Sequence, residues 1–202
     1  SKAAFRAGTT PAAQWDDGSV GSYSVGLGFA PTASGESSVA LGSSTVASNQ
    51  YAVSIGYSST ASGYQSMALM SGTASGMYSF AMDTYPGCCT VTTASGQGSI
   101  AIGIEAVASN TDSIMIGSGT SSGGKSIGMG YYLTAAGDFS NAFGYGTHAG
   151  SYAETSFGRY SLNTAGTAGS WVATDTLFEI GNGTGTGTRA NALTMLKDGK
   201  LG

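Results

Sequence analysis

The chain has 202 residues, enough for one or two ordinary domains. Only 9% of them are charged, 34 are glycine, and the net charge is −4; between residues 18 and 158 a single basic side chain, Lys125, stands against six acids. That balance argues against a nucleic-acid partner, which needs a basic stripe, and no run of about 18 apolar residues is present for direct membrane insertion as a helix.

Residues 1–17 hold Phe5, Arg6 and Trp15, and Gly8 lies 20 residues before Gly28. They read as an N-terminal cap or an irregular first coil. From residue 18 a short motif repeats. Ala33-Ser34-Gly35-Glu36-Ser37-Ser38-Val39-Ala40-Leu41-Gly42 returns as Ala61-Ser62-Gly63-Tyr64-Gln65-Ser66-Met67-Ala68-Leu69. It returns again as Ala94-Ser95-Gly96-Gln97-Gly98-Ser99-Ile100-Ala101-Ile102-Gly103 and as Ala108-Ser109-Asn110-Thr111-Asp112-Ser113-Ile114-Met115-Ile116-Gly117. The turn residue falls at Gly21, Gly35, Asn49, Gly63, Gly76, Gly96, Asn110, Gly123, Gly137 and Gly150. A fixed short period is the mark of a solenoid, so 18–158 reads as ten coils of 13–14 residues with one insertion at 84–93.

Within a coil, large apolar residues sit four and six places past the turn residue: Val39 and Leu41, Val53 and Ile55, Ile100 and Ile102. Spacing by two places them on one face of a short strand. The residue between them is small, as at Ala40, Ser54 and Ala101. A second small residue (Ala33, Ala47, Ala61) ends a short polar segment, which gives strand, turn, strand, turn. Helix is excluded by the period and by the glycine and serine content. The fold class is therefore all-β, a stack of parallel strands about 4.8 Å apart. The large residues are expected to fill a thin core. The small-residue stripe is expected to lie against another copy about a shared axis, since a lone chain would leave apolar stripes wet.

The insertion contains Tyr85 and the neighbours Cys88 and Cys89. A vicinal disulfide, two free thiols and an inter-chain bridge are all open to that pair. Beyond Gly158 the period fades. Residues 171–181 and 192–201 read as strands, joined by the Gly/Thr run 181–188, so 159–202 is set apart as a C-terminal β cap or neck. Trp15 and Trp171 bracket the array as capping residues for an open solenoid end.

The Ala-Ser-Gly-x-x-Ser-φ-Ala-φ-Gly repeats of 18–158 resemble the head repeats of trimeric autotransporter adhesins, the YadA-type left-handed parallel β-roll. The resemblance implies a tight parallel homotrimer on an extracellular surface. The tail, Thr174–Gly183 with Asn191–Gly199, is similar to segments that precede an intramolecular chaperone in phage tail fibres and bacterial surface proteins. A bacterial cell surface and a virion fibre are both implied settings.

No nucleophile–base pair is readable, and the chain is read as a non-enzyme. No metal or other cofactor is expected: His148 is the lone histidine, and the glycine-rich run 181–187 opens no helix. Tyrosine is abundant, with 11 copies. Tyr51, Tyr78 and Tyr152 sit two past the turn residue; Tyr57, Tyr131 and Tyr145 sit eight past it. Such rows either stiffen the roll as ladders or contact a receptor with ring faces. With Tyr85, these are the candidate receptor contacts. The expected function is attachment to a host, glycan or matrix surface. A passive fibre spacer and an ice or mineral binder with a threonine column (Thr45, Thr60, Thr73, Thr93) are the alternatives.

Overall fold

The structure is a computed structural model that describes residues 2–85, 90–164 and 166–201. Cys88 and Cys89, and with them the question of a vicinal disulfide, lie outside the described residues. The chain divides into two compact units, Ser1–Glu105 and Ala106–Gly202.

In the first unit long strands alternate with two-residue strands. In order they are β1 (Phe5–Thr9), β2 (Val25–Phe29), β3 (Thr32–Ala33), β4 (Val39–Ser43), β5 (Val46–Ala47), β6 (Val53–Tyr57), β7 (Thr60–Ala61), β8 (Met67–Leu69), β9 (Thr73–Ala74), β10 (Phe80–Asp83), β11 (Thr93–Ala94) and the start of β12 (Ile100–Ala108). Long strands pair with long strands, all parallel, with Val25, Val39, Val53, Met67, Phe80 and Ile100 in one column. Short strands pair with short ones, placing Thr32, Val46, Thr60, Thr73 and Thr93 in another. One coil is thus a long strand, a turn, a short strand and a turn: a β-solenoid, as the period predicts. β1 joins the ladder on β2 with Gly8 opposite Gly28, so a coil begins within residues 1–17. Two 3-10 turns, Ala13–Trp15 and Asp17–Ser19, occupy the connection.

In the second unit β13 (Ile114–Ser121), β14 (Ile127–Ala135), β15 (Asn141–Tyr145), β16 (His148–Ala149) and β17 (Thr155–Arg159) repeat the pattern. β18 (Thr176–Asn182) lies parallel on β17 in the same register, with Gly181 under Gly158. β19 (Asn191–Leu196) then pairs with β18 antiparallel.

The interior reverses one expectation. The buried column is the small one: Ala33, Ala40, Ala47, Ser54, Ala61, Ala68, Ala74, Ala81, Ala94 and Ala101 are fully buried. The large residues flanking them, such as Val39 and Leu41, are half-exposed on the outside, and Ile55 is 38% exposed. The reason is width. A 14-residue coil brings its two sheets so close that only methyls and hydroxyls fit between them. Where a larger group enters, the next coil gives way. Met115 is fully buried, and a Cβ on Gly128 beside it would lie 2.6 Å from its Sδ. The Arg6 side chain is likewise accommodated by Gly26. Arg6 enters the first coil's interior and donates to Ser24 Oγ (2.7 Å) and Ala33 O (3.0 Å).

The repeated serine three past the turn residue closes most of the turns; Ala52 stands in its place after Asn49, and the Ser140 hydroxyl has no partner among the described residues. The closing serine's Oγ donates to the turn carbonyl, as in Ser38 to Gly35 O and Ser66 to Gly63 O, both 2.7 Å. The residue between, two past the turn, is left-handed: Ser37 has φ 53, Tyr51 58 and Tyr78 60. In the last coil the register sets Ser151, not Gly150, under Gly137, with Glu154 donating its N–H to Ser151 O. The left-handed residue is then Ala153, and Tyr152 stands one past the turn rather than two. Glycine at 150 imitated the motif; the hydrogen bonds choose its neighbour.

At the end of each long strand Gly28, Gly42 and Gly56 stack with φ near +120, and a Cβ on Gly42 would sit 2.0 Å from Gly56 O. No side chain fits there. Gly42→Ala should therefore cost about 3 kcal/mol or more, read as a lowered thermal midpoint by circular dichroism.

Candidate functional site: outer faces and a buried carboxylate cluster

Three features stand out on this scaffold: an apolar stripe, rows of aromatic rings, and a pair of buried acids.

The stripe is the outward face of the long strands. In the first unit it runs through Val25 and Leu27, Val39 and Leu41, Val53 and Ile55, Met67 and Leu69, Phe80 and Met82. In the second it runs through Ile114 and Ile116, Ile127 and Met129, Phe143, Phe157, Phe178 and Ile180. Phe143 and Phe157 stack at 4.9 Å between ring centroids. A monomer with such a continuous apolar face is unusual.

The aromatic candidates form separate groups. Tyr51, Tyr64 and Tyr78 make an edge-to-face row, 6.0 and 5.8 Å apart. Phe139 and Tyr152 meet edge-on at 5.4 Å. Tyr57 is exposed at the end of β6, and Tyr85, also exposed, donates its N–H to Asp83 Oδ1. Tyr131 and Tyr145 stack at 5.5 Å, nearly parallel, and Tyr132 and Tyr160 complete that cluster. Sequence reading missed Tyr64, Tyr132 and Tyr160. They stand one place off the row, Tyr64 at turn+1, Tyr132 at a left-handed residue within β14 (φ 55) and Tyr160 at one just after β17 (φ 43), and only the bend of the backbone brings them in.

Two of the three arginines gather here. The Arg159 guanidinium carbon lies 5.9 Å from the Tyr145 centroid and 5.5 Å from that of Tyr160. Arg189 lies 5.8 Å from Tyr160 and donates to Gly146 O and Ser161 O.

Beneath them, inside the last coils, are Glu154 (1% exposed) and Glu179 (0%). Glu154 takes the place of the turn-closing serine. Its Oε2 accepts from Gly150 N–H, Ser151 N–H and Ser151 Oγ, while Oε1 has no partner among the described residues. Glu179 accepts from Ser156 Oγ (2.9 Å) and Asn191 Nδ2 (2.6 Å). Burial pushes the Glu154 carboxyl up to about 7, against the Ser151 and Gly150 hydrogen bonds and with the help of nearby Glu179. His148 is pushed down by burial and by Arg189. Among the described residues no group of three or more His, Cys, Asp or Glu side chains converges on a point that could hold a metal ion.

Trp15 is half-buried in the 3-10 turn Ala13–Trp15, whereas Trp171 does not plug a coil end. Trp171 is 54% exposed and lies over the buried Lys197 ammonium, 5.4 Å away, which in turn sits 3.9 Å from Asp175. Arg6 fills the interior of the first coil.

Residues 19–45, 33–59, 47–69 and 94–120 match the family model described as the YadA head domain repeat. The chain carries YadA-type head repeats. Three overlapping matches offset by the coil period and a fourth farther along, on a β-solenoid whose motif serines close most of the turns, agree in sequence and in geometry. No curated protein matches the chain. The YadA head repeat marks an adhesin-type segment of trimeric autotransporter kind, exposed at the cell surface.

Proposed function

We propose that three parallel copies of this head pack their apolar stripes together, and that the trimer attaches to a host, glycan or matrix surface through its aromatic rows. The observation that carries this is the inversion of the coil. Val, Leu and Ile lie outside an interior of Ala and Ser, so the largest apolar residues reach shelter only against another chain. The left-handed roll of the family is the coil geometry proposed for it. Non-enzymatic attachment is consistent with a surface of Ser, Thr, Asn and Tyr.

Replacing Tyr57, Tyr131 and Tyr145 together with serine should reduce binding to host cells or a glycan array at least tenfold while sedimentation still gives a trimer. Unchanged binding would favour the spacer reading, which has its own support: the rings of the Tyr51 row already satisfy one another edge to face.

The lattice-binder alternative loses a residue. Thr45 is fully buried, and the outward column is Thr32, Val46, Thr60, Thr73 and Thr93, interrupted by valine.

A further inference from the structure

We infer that Tyr131, Tyr132, Tyr145 and Arg159 form a binding site for an acidic saccharide, the exposed tyrosine rings taking the sugar and the guanidinium its carboxylate or sulfate. The inference rests on the attachment reading above and narrows it to one site and one ligand class.

The site is prearranged. Tyr131, Tyr145 and Arg159 are register partners on three successive strands, so the row is fixed by backbone pairing. Tyr131 and Tyr145 are 10° from parallel and stack on each other at 5.5 Å, so the pair turns ring edges and hydroxyls outward, an amphipathic surface that can take the C–H groups and hydroxyls of a pyranose. Tyr132, 55% exposed, tilts against Tyr131 at 4.2 Å and makes one wall. Arg159 stands at the other end. One Nη2 bond, to Thr184 O at 3.1 Å, holds its exposed fork in place. Tyr160 underpins it, packed over Gly146, where a Cβ would come within 2.5 Å of the ring. Arg189 braces Tyr160 from behind through Gly146 O and Ser161 O.

Charge selects the ligand. The chain carries net −4, yet two of its three arginines meet on this one tyrosine. A planar fork beside an aromatic face suits a carboxylate or sulfate, bidentate and charge-assisted. A neutral saccharide would leave the fork unused. The row follows the stripe by two places on each strand, with Gly130 (φ 139), Gly144 (φ 118) and Gly158 (φ 100) between Met129, Phe143 or Phe157 and the row.

The test is titration calorimetry on the assembled head with four probes: a hyaluronan octasaccharide, a heparin octasaccharide, an α2,8-linked sialic-acid tetramer, and neutral chitohexaose. At least one acidic probe should bind, more weakly as salt is raised, and chitohexaose should not. Arg159→Gln should weaken that binding about tenfold or more, the loss of one charge-assisted contact. Tyr131→Ser should abolish it with the trimer intact, whereas Lys125→Gln, an equal charge loss elsewhere, should leave it unchanged. Equal binding of chitohexaose, unaffected by Arg159→Gln, would overturn the acidic selectivity and leave glycan attachment standing. No binding of any probe, with adhesion to host cells retained, would overturn the site and leave the attachment reading intact. Loss of cell adhesion in the unmodified head would remove the reading on which both rest.

Discussion

Leu41→Glu combined with Ile55→Glu is expected to convert the trimer to monomers. The two residues are register partners on adjacent strands, outside the coil and half-exposed in a single chain. In a lone chain a glutamate at either place meets water and costs little. In a threefold assembly the same substitution sets three carboxylates around the shared axis, where an unpaired buried charge costs several kcal/mol. Ala40 and Ser54, each immediately before one of them, are fully buried inside the coil. Ala40→Leu should therefore behave in the opposite way, overpacking the coil interior by about 1–3 kcal/mol without touching the interface. Sedimentation equilibrium separates the two. A trimer that persists with both glutamates would mean that the chains assemble through some other face.

The second large effect is on pH. Between about pH 4.5 and 7 the folded chain keeps a proton on Glu154 that the unfolded chain gives up. Its folded pKa is raised, so the stability it provides is fully present below about 4.5 and is lost as pH climbs through about 7. The span corresponds to about 3 kcal/mol. His148, held down by burial and Arg189, acts with the opposite sign below its ordinary value of 6.5. The informative measurement is therefore the difference between the native chain and Glu154→Gln at each pH. The amide oxygen of glutamine can accept the same three hydrogen bonds. Glu154→Gln should match the native chain near pH 5 and exceed it by up to about 3 kcal/mol at pH 8, in urea melts followed at Trp171. A native chain that gains on the variant as pH rises would mean that Glu154 is ionised in the fold.

The spacing of Gly35, Asn49 and Gly63 was enough to read the coil, its two strands and its parallel stacking. Period is a property of the backbone, and backbone pairing is what the solenoid repeats. Which side of the strand faced inward was not legible. Alternation by two separates Val39 and Leu41 from Ala40 but does not say which set is enclosed. That depends on the gap between the sheets, a distance set by both turns together. The last coil was misread for a related reason: Gly150 resembles a turn residue, whereas the turn is identified by the bond from Glu154 N–H to Ser151 O. Of the candidate contacts, Tyr131 and Tyr145 were visible as a row because they obey the period. Tyr132 and Tyr160 were invisible because a left-handed residue redirects each of them. Arg159 follows the same row, but its chemistry differs from its neighbours', so a search for aromatic residues passed it by.

The narrow interior has a consequence for how such a head comes into being. Alanine and serine offer little apolar area, so the ladder of one isolated chain gains little from closing upon itself. Most of the driving force waits on the outside until a sister chain arrives, and folding and assembly become one event. Renaturation from urea should then speed up as the chain is made more concentrated, and three nascent chains held side by side should succeed where dilute ones stall.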